Sequence, residues 1–297
     1  MSIRINTDPT NPGQFFACCG LLELTDRLWG GAEGWFENDK GTFCIQPLHM
    51  ESPGNRTHLE FANAIAHCTL TNTMTASQLQ RRELLSSMPK QKIDDHPALK
   101  SEKKTLDSMW REAPVVLGAP FNLQIDWFVD DLAGGDVFKT WAGQQSVIDI
   151  VDGMRNCAIA DGWEPISLEI WLFRRLSSDC LPFNFDADLG SIGGDRDVGF
   201  SFDPLKNINI DVNIQIRPLF ELLAFVGLQR FRPMRVRSEN RFRYWLWFDC
   251  LVPELAAPAA CGLLELPNSS VFEFRLLYRT KYLKSFLPSM PVSRSAL

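Results

Sequence analysis

NTDPTNPGQFFACCGLLELTDRLWGG, residues 6–31, carries the signals for both ends of one helix. Thr10 or Asn11 can cap it, and Pro12 suits the first helical position, where its missing N–H costs nothing. Phe15, Phe16, Cys18, Cys19, Leu21, Leu22, Leu24 and Leu28 follow at spacings of three and four, and Gly30-Gly31 supplies the stop. The stretch predicts a buried helix over roughly 12–29 with a sharp entrance. The N–H groups at such an entrance can also receive a phosphate, so the rest of the chain must decide whether it faces a ligand.

Working outward, SIRIN (2–6) alternates like a short strand, and AEGWFEN with GTFCIQPL (32–38, 41–48) reads as a hairpin. Strand, helix, strand, strand is compatible with a ferredoxin-like or RRM-like start. Residues 58–112 are more polar and read as three helices, a helical insert or subdomain in a body made of 1–57 and 113–297. FNLQIDWFVDD (121–131) predicts a strand, DVFKTWAGQQSVIDIVDGMRNCA (136–158) an amphipathic helix, and ISLEIWLF (166–173) a strand. NINIDVNIQIRP (207–218) alternates strictly, PLFELLAFVGLQRF (218–231) is a buried helix, MRVRSENRFRYWLWF (234–248) a hairpin and SVFEFRLLYRTK (270–281) a last strand. Helices and strands mix without regular βαβ alternation. The expected class is α+β, with mixed or antiparallel sheets.

The 297 residues, 45% of them hydrophobic, suffice for a real core and exclude a disordered chain. MSIRINTDPT has no apolar signal core, and PLFELLAFVGL (218–228) is too short to span a bilayer and carries Glu221, so no membrane contact and a cytoplasmic location are expected. The net charge of −6 is uneven. Twelve Lys/Arg against six Asp/Glu give 217–297 a local +6, which leaves 1–216 at −12. An acidic body with a basic C-terminal third suits an anionic partner at one end, or docking between subunits of opposite charge.

The basic third is densest in LQRFRPMRVRSENRFRYWLWF, which holds Arg230, Arg232, Arg235, Arg237, Arg241 and Arg243. Parity along a strand puts Phe242, Tyr244, Leu246 and Phe248 on a core face and Arg241, Arg243, Trp245 and Trp247 on the other, with Arg235 and Arg237 joining from the facing strand. Guanidinium groups beside indoles suit a nucleic-acid backbone with unstacked bases. The same arginines could instead pair with the acidic body or with a protein partner. Lys90, Lys92, Lys100, Lys103 and Lys104 form a second basic group, read as a solvated face.

Catalytic chemistry finds little support. Eight cysteines form no CxxC pair and read as reduced core residues, and His49, His58, His67 and Cys68 match no zinc spacing. The loop FDADLGSIGGDRDVGFSFDPL (185–205) departs from an EF-hand at Gly190 and Ser191 and from a phosphate loop after Gly193-Gly194; it reads as a loop that orders on a partner. No G-x-S-x-G elbow is present. No catalytic residue, metal or cofactor is assigned. A metal-independent RNA endonuclease using a histidine base remains an alternative, as does a pure protein adaptor.

Four stretches, TNPGQFFACCGLLELTDRLWGGAEGWF, FKTWAGQQSVIDIV, RDVGFSFDP and ELLAFVGLQRFRP, together resemble the type I-U (I-G) CRISPR-associated family of the large-subunit-like group. The member resembled is the third subtype-specific subunit, encoded beside the repeat-forming backbone subunit and the fused crRNA-processing subunit. The resemblance runs in order across most of the chain and is weak over 50–115. It implies a non-catalytic subunit of an RNA-guided DNA surveillance complex, in antiviral defence, whose partners are the backbone and other effector subunits, guide RNA and target DNA. Cutting falls to a separate helicase-nuclease. The positions carried over are Asn11, Pro12 and Gly13; Lys139, Gln144 and Gln145; Arg196; and Arg230 and Arg232. Overall acidity departs from a simple nucleic-acid binder.

Overall fold

The computed structural model describes residues 2–37, 41–49, 57–127, 146–160, 167–178, 182–188, 214–236, 241–279 and 282–293. Helices and antiparallel sheets make an α+β protein, and every strand pairing among these residues is antiparallel.

Strand β1 (Ile3–Asn6), helix α1 (Pro12–Trp29), β2 (Ala32–Phe36) and β3 (Thr42–Pro47) come first. Their sheet has the order β1-β3-β2, so β3 lies antiparallel between β1 and β2. This is the split βαβ arrangement of a ferredoxin-like first half. Asn11 is the N-cap of α1, Pro12 is the first helical residue, and Gly30 ends the helix in the left-handed region at φ 73°.

Helix α2 (Thr57–His67) sends Phe61 and Ile65 into the main core. Then come β4 (Leu70–Asn72), α3 (Ala76–Ser87), α4 (Lys90–Asp94), α5 (Pro97–Glu112), β5 (Val115–Leu117) and β6 (Leu123–Ile125), with β4, β5 and β6 in one sheet. Helices α3–α5 close over a separate small core of Leu85, Ile93 and Leu106, with Met74 beside them. Within 58–112, therefore, α2 belongs to the body and the separate cluster begins after β4.

The chain continues through α6 (Val147–Ala158), α7 (Leu168–Phe173), β7 (Leu176–Ser178), β8 (Ile214–Ile216) and α8 (Pro218–Arg230). The helix expected over 136–158 starts only at Val147: Ser146 is its N-cap, in extended backbone, and its hydroxyl accepts from the Asp149 N–H at 3.2 Å; residues 136–145 lie outside the described residues. ISLEIWLF is a correction: 168–173 is helical. The Ser167 side chain accepts a hydrogen bond from the Ile170 N–H and caps a turn that apolar alternation alone mistakes for a strand.

The last sheet holds β9 (Met234–Arg235), β10 (Arg241–Trp247), β11 (Ser269–Arg279), β12 (Tyr282–Phe286) and β13 (Met290–Val292). Helix α9 (Pro253–Ala260) sits between β10 and β11 in sequence.

At the centre α1 and α8 lie side by side in the same sense, with Gly13 against Phe220 at one end and Glu23 paired with Arg230 at the other. They touch through backbone. A Cβ on Gly20 would lie 1.9 Å from the Leu223 carbonyl oxygen, and one on Gly227 would lie 2.0 Å from that of Phe16. Around them Phe15 stacks on Tyr244 at 4.4 Å and meets Phe36 and Trp247, so α1 joins the first sheet to the last. Each large apolar side chain fully buried here contributes about 1.5–3 kcal/mol.

Candidate nucleic-acid interface

The arginine hairpin forms as expected, and its register decides which side chains share a face. Arg243 stands opposite Met234 on β9 and Glu273 on β11, and Arg241 stands opposite Arg275. Met290 of β13 continues the row beside Glu273. The outward face therefore carries Arg241, Arg243, Trp245, Glu273, Arg275, Met234 and Met290.

Arg235 is not among them. Its partner is Phe242, so parity puts it on the opposite face from Arg243. The expectation that Arg235 adds to the strip is corrected by this one-residue register.

The two central arginines are held by their own sheet. Arg241 Nη1 donates to Glu273 Oε1 at 2.7 Å, and Arg243 Nε donates to Glu273 Oε2 at 2.9 Å. One carboxylate thus clamps two guanidinium groups, with side chains 13% exposed at Glu273, 14% at Arg243 and 30% at Arg241. Burial pushes the Glu273 carboxyl up, but the Arg243 and Arg241 hydrogen bonds and charges outweigh it and hold it below its ordinary value. Cationic character survives: with Arg275, the clamp leaves the face at +2.

The tryptophans are also engaged. A Cβ on Gly262 would lie 2.7 Å from the Trp245 ring, so the turn after α9 covers that indole. Trp247 was expected on the outward face and is instead fully buried. Hydrogen bonds between Gly34 and Leu251 tie the segment after β10 to β2, which encloses both sides of the strand end. The Trp247 indole N–H donates to the Gly34 carbonyl at 2.7 Å, and its ring stacks on Phe231. Trp247 is a core residue and no stacking platform.

Two grooves flank Arg243. One, of about 510 Å³, is lined by Met234, Trp245, Leu264, Leu266 and Pro267, with the exposed acid Glu265 among them. The other, of about 600 Å³, runs past Arg241, Arg275, Leu287 and Met290. The surface is mixed cationic and apolar.

Arg230 points away from this face, pairing with Glu23 at 3.0 Å and Glu254 at 3.2 Å. Glu23 is buried and also binds Arg27 Nε at 2.6 Å. Arg232 is exposed just past α8. Arg237, Lys139, Gln144, Gln145 and Arg196 lie outside the described residues.

The Asn-Pro-Gly entrance is occupied. Asn11 Oδ1 accepts from the N–H groups of Gly13, Gln14 and Ala187, and Asn11 Nδ2 donates to Asp186 Oδ1 at 2.9 Å. A Cβ on Gly13 would lie 2.2 Å from the Phe185 carbonyl oxygen. Arg217 Nη1 donates to Asp186 Oδ2 at 2.9 Å and to Asp188 Oδ2 at 3.3 Å, and Glu221 accepts from the N–H groups of Phe185 and Asp186. Residues 185–188 therefore lock the starts of α1 and α8 together, and the first-turn donors are turned inward. The remainder of the glycine–aspartate loop lies outside the described residues.

Burial pushes the Cys18 and Cys19 thiols well above their ordinary value, which suits core packing. Among the described residues no three His, Cys, Asp or Glu side chains gather closely enough to hold a metal ion. No helix there is long and apolar enough to cross a membrane.

Sequence reasoning missed Glu273, Glu23, Arg217 and Glu221. The signal for Glu273 was present: it is the lone acid in an apolar-alternating strand beside an arginine-rich one. No protein-family model, curated protein or solved structure matches this chain.

Proposed function

We propose that the chain is a non-catalytic subunit of a type I-U CRISPR RNA-guided DNA surveillance complex, docking on sister subunits and helping to hold guide RNA or target DNA. The observation that carries the reading is the outward face of the last sheet. It combines a clamped, net-cationic arginine cluster with apolar grooves on both sides, in a chain whose first 216 residues carry −12. Clamped arginines are preorganised, and a docking surface of this mixed kind is well suited to an acidic, partly apolar neighbour. The four family-like stretches support the same reading, since three of them include or adjoin the central α1, α6 and α8 helices.

In this account the acidic body weakens the free chain's contact with a polyanion without abolishing it at low salt, and assembly strengthens that contact. Co-expression with the backbone subunit, the fused processing subunit and a guide RNA tests it. The chain should co-purify with the complex through size exclusion. Its absence from a complex that forms from the other components would overturn the proposal.

A pure protein adaptor is the second reading, and the Glu273 clamp favours it. Absence of any crosslink from this chain to guide or target in the assembled complex would select it.

A further inference from the structure

The α3–α5 unit has a second basic surface on a different part of the fold. Its helices are tied by Arg81 to Glu102, by Arg82 to Asp107 at 3.0 Å, and by the Arg82 guanidinium over the Trp110 ring at 4.4 Å. These contacts hold α3 against α5. A groove of about 530 Å³ opens between α4 and α5.

Lys100, Lys103, Lys104 and Arg111 reach this groove from one face of α5, at helical spacings of three, four and seven, and Lys90 reaches it from α4. Two acids share the groove, and both are already engaged: Asp94 by Lys100 at 2.9 Å and Asp107 by Arg82. Among the described residues Lys103, Lys104 and Arg111 have no carboxylate partner. The floor is apolar, from Met88 and the buried Ile93. This local excess of cations stands out within residues 1–216, which together carry −12.

From Lys100 to Arg111 the stripe runs about 16 Å along the helix axis. A nucleic-acid strand repeats its phosphates every ~3.4 Å of axis in duplex form, so the stripe spans several consecutive charges. An apolar floor can take a base or sugar edge, which a duplex keeps inside its stack.

We infer that the groove between α4 and α5 holds the backbone of a single-stranded nucleic acid, read through phosphate charge and without base specificity. The inference rests on the reading above in taking nucleic acid as the anion, and it assigns the contact to residues remote from the arginine hairpin.

The test uses the full chain and a fluorescein-labelled oligodeoxythymidine of about 20 nucleotides, titrated by anisotropy between about 50 and 200 mM salt. Lys103→Gln/Lys104→Gln/Arg111→Gln removes three exposed or half-exposed cations. Its binding constant should fall, and the slope of log Kobs against log salt should become shallower by about 2, at roughly 0.7 for each phosphate of a single strand that is no longer neutralised. Lys103→Arg/Lys104→Arg should keep the wild-type slope. An unchanged slope in the triple variant, no binding by the wild-type chain at the lowest salt, or preference for duplex DNA of the same length each overturns the inference. The triple variant should still enter the assembled complex. Exclusion of the wild type from that complex would instead defeat the functional reading and leave the groove measurement standing.

Discussion

Replacing Gly20 by Ala tests the crossing on which the fold is built. The added methyl would sit 1.9 Å from the Leu223 carbonyl oxygen and 2.9 Å from the Gly227 nitrogen. Both are backbone atoms of α8, so no side chain can swing aside. The helices must separate by about 1 Å, and overpacking of this kind costs about 1–3 kcal/mol. Here the upper end applies, because separation also loosens the surrounding phenylalanines. Ala returns about 1 kcal/mol through helix propensity. The net loss should be about 2 kcal/mol. In urea, followed by tryptophan fluorescence, the midpoint should fall at unchanged m-value, and Tm should drop by about 4 °C. Gly153→Ala on the partly exposed α6 serves as the control and should leave stability equal or higher. Gly227→Ala should resemble Gly20→Ala, and the double variant should cost less than the two losses together, since one separation relieves both contacts. A Gly20→Ala protein as stable as the wild type would refute the crossing.

Four further outcomes follow from the buried charges and thiols. Arg217→Met leaves Asp186 buried without its cation and should cost about 3–5 kcal/mol, with part regained on adding Asp186→Asn; a single-variant loss below about 1 kcal/mol in urea contradicts the lock. A double-mutant cycle of Arg243→Gln and Glu273→Gln should give a coupling of about 1 kcal/mol, and none if the clamp is idle. Because the folded Glu273 carboxyl lies below its ordinary value, its stabilisation is present above the unfolded carboxyl range and lost as pH falls through the folded value; wild-type stability should therefore drop relative to Glu273→Gln below about pH 4.5, and parallel curves would contradict this. Iodoacetamide should label the exposed Cys250 in the native protein while Cys18 and Cys19 react only after unfolding, as read by mass spectrometry.

Much of the fold was legible because its signals are local. The cap at Asn11, the proline at the first helical position and the glycine stop mark α1, and alternation marks β10 and β11. The near-continuous apolar run of 218–231 marks α8 as a helix buried on every side. What was not legible depends on pairing between distant segments. Parity assigned Trp247 to the outer face, but a bridge from β2 to Leu251 encloses the strand end. Register, which no single strand contains, moved Arg235 to the face of Phe242. The six arginines were visible as a cluster, while the Glu273 clamp that tempers them lies 30 residues on in another strand. The Asn-Pro-Gly motif raised a binding question that only the tertiary position of 185–188 answers. The lysine stripe was visible, yet its groove exists only because α4 turns back on α5. ISLEIWLF failed for a different reason: a six-residue apolar run has no period of its own, and the Ser167 cap decided it.

The central claim is that this chain joins an RNA-guided complex, and native mass spectrometry of the reconstituted assembly tests it most directly. The complex of backbone subunit, processing subunit and guide RNA should gain an integral number of copies of this chain when it is supplied. An assembly whose mass is identical with and without the chain would contradict the account.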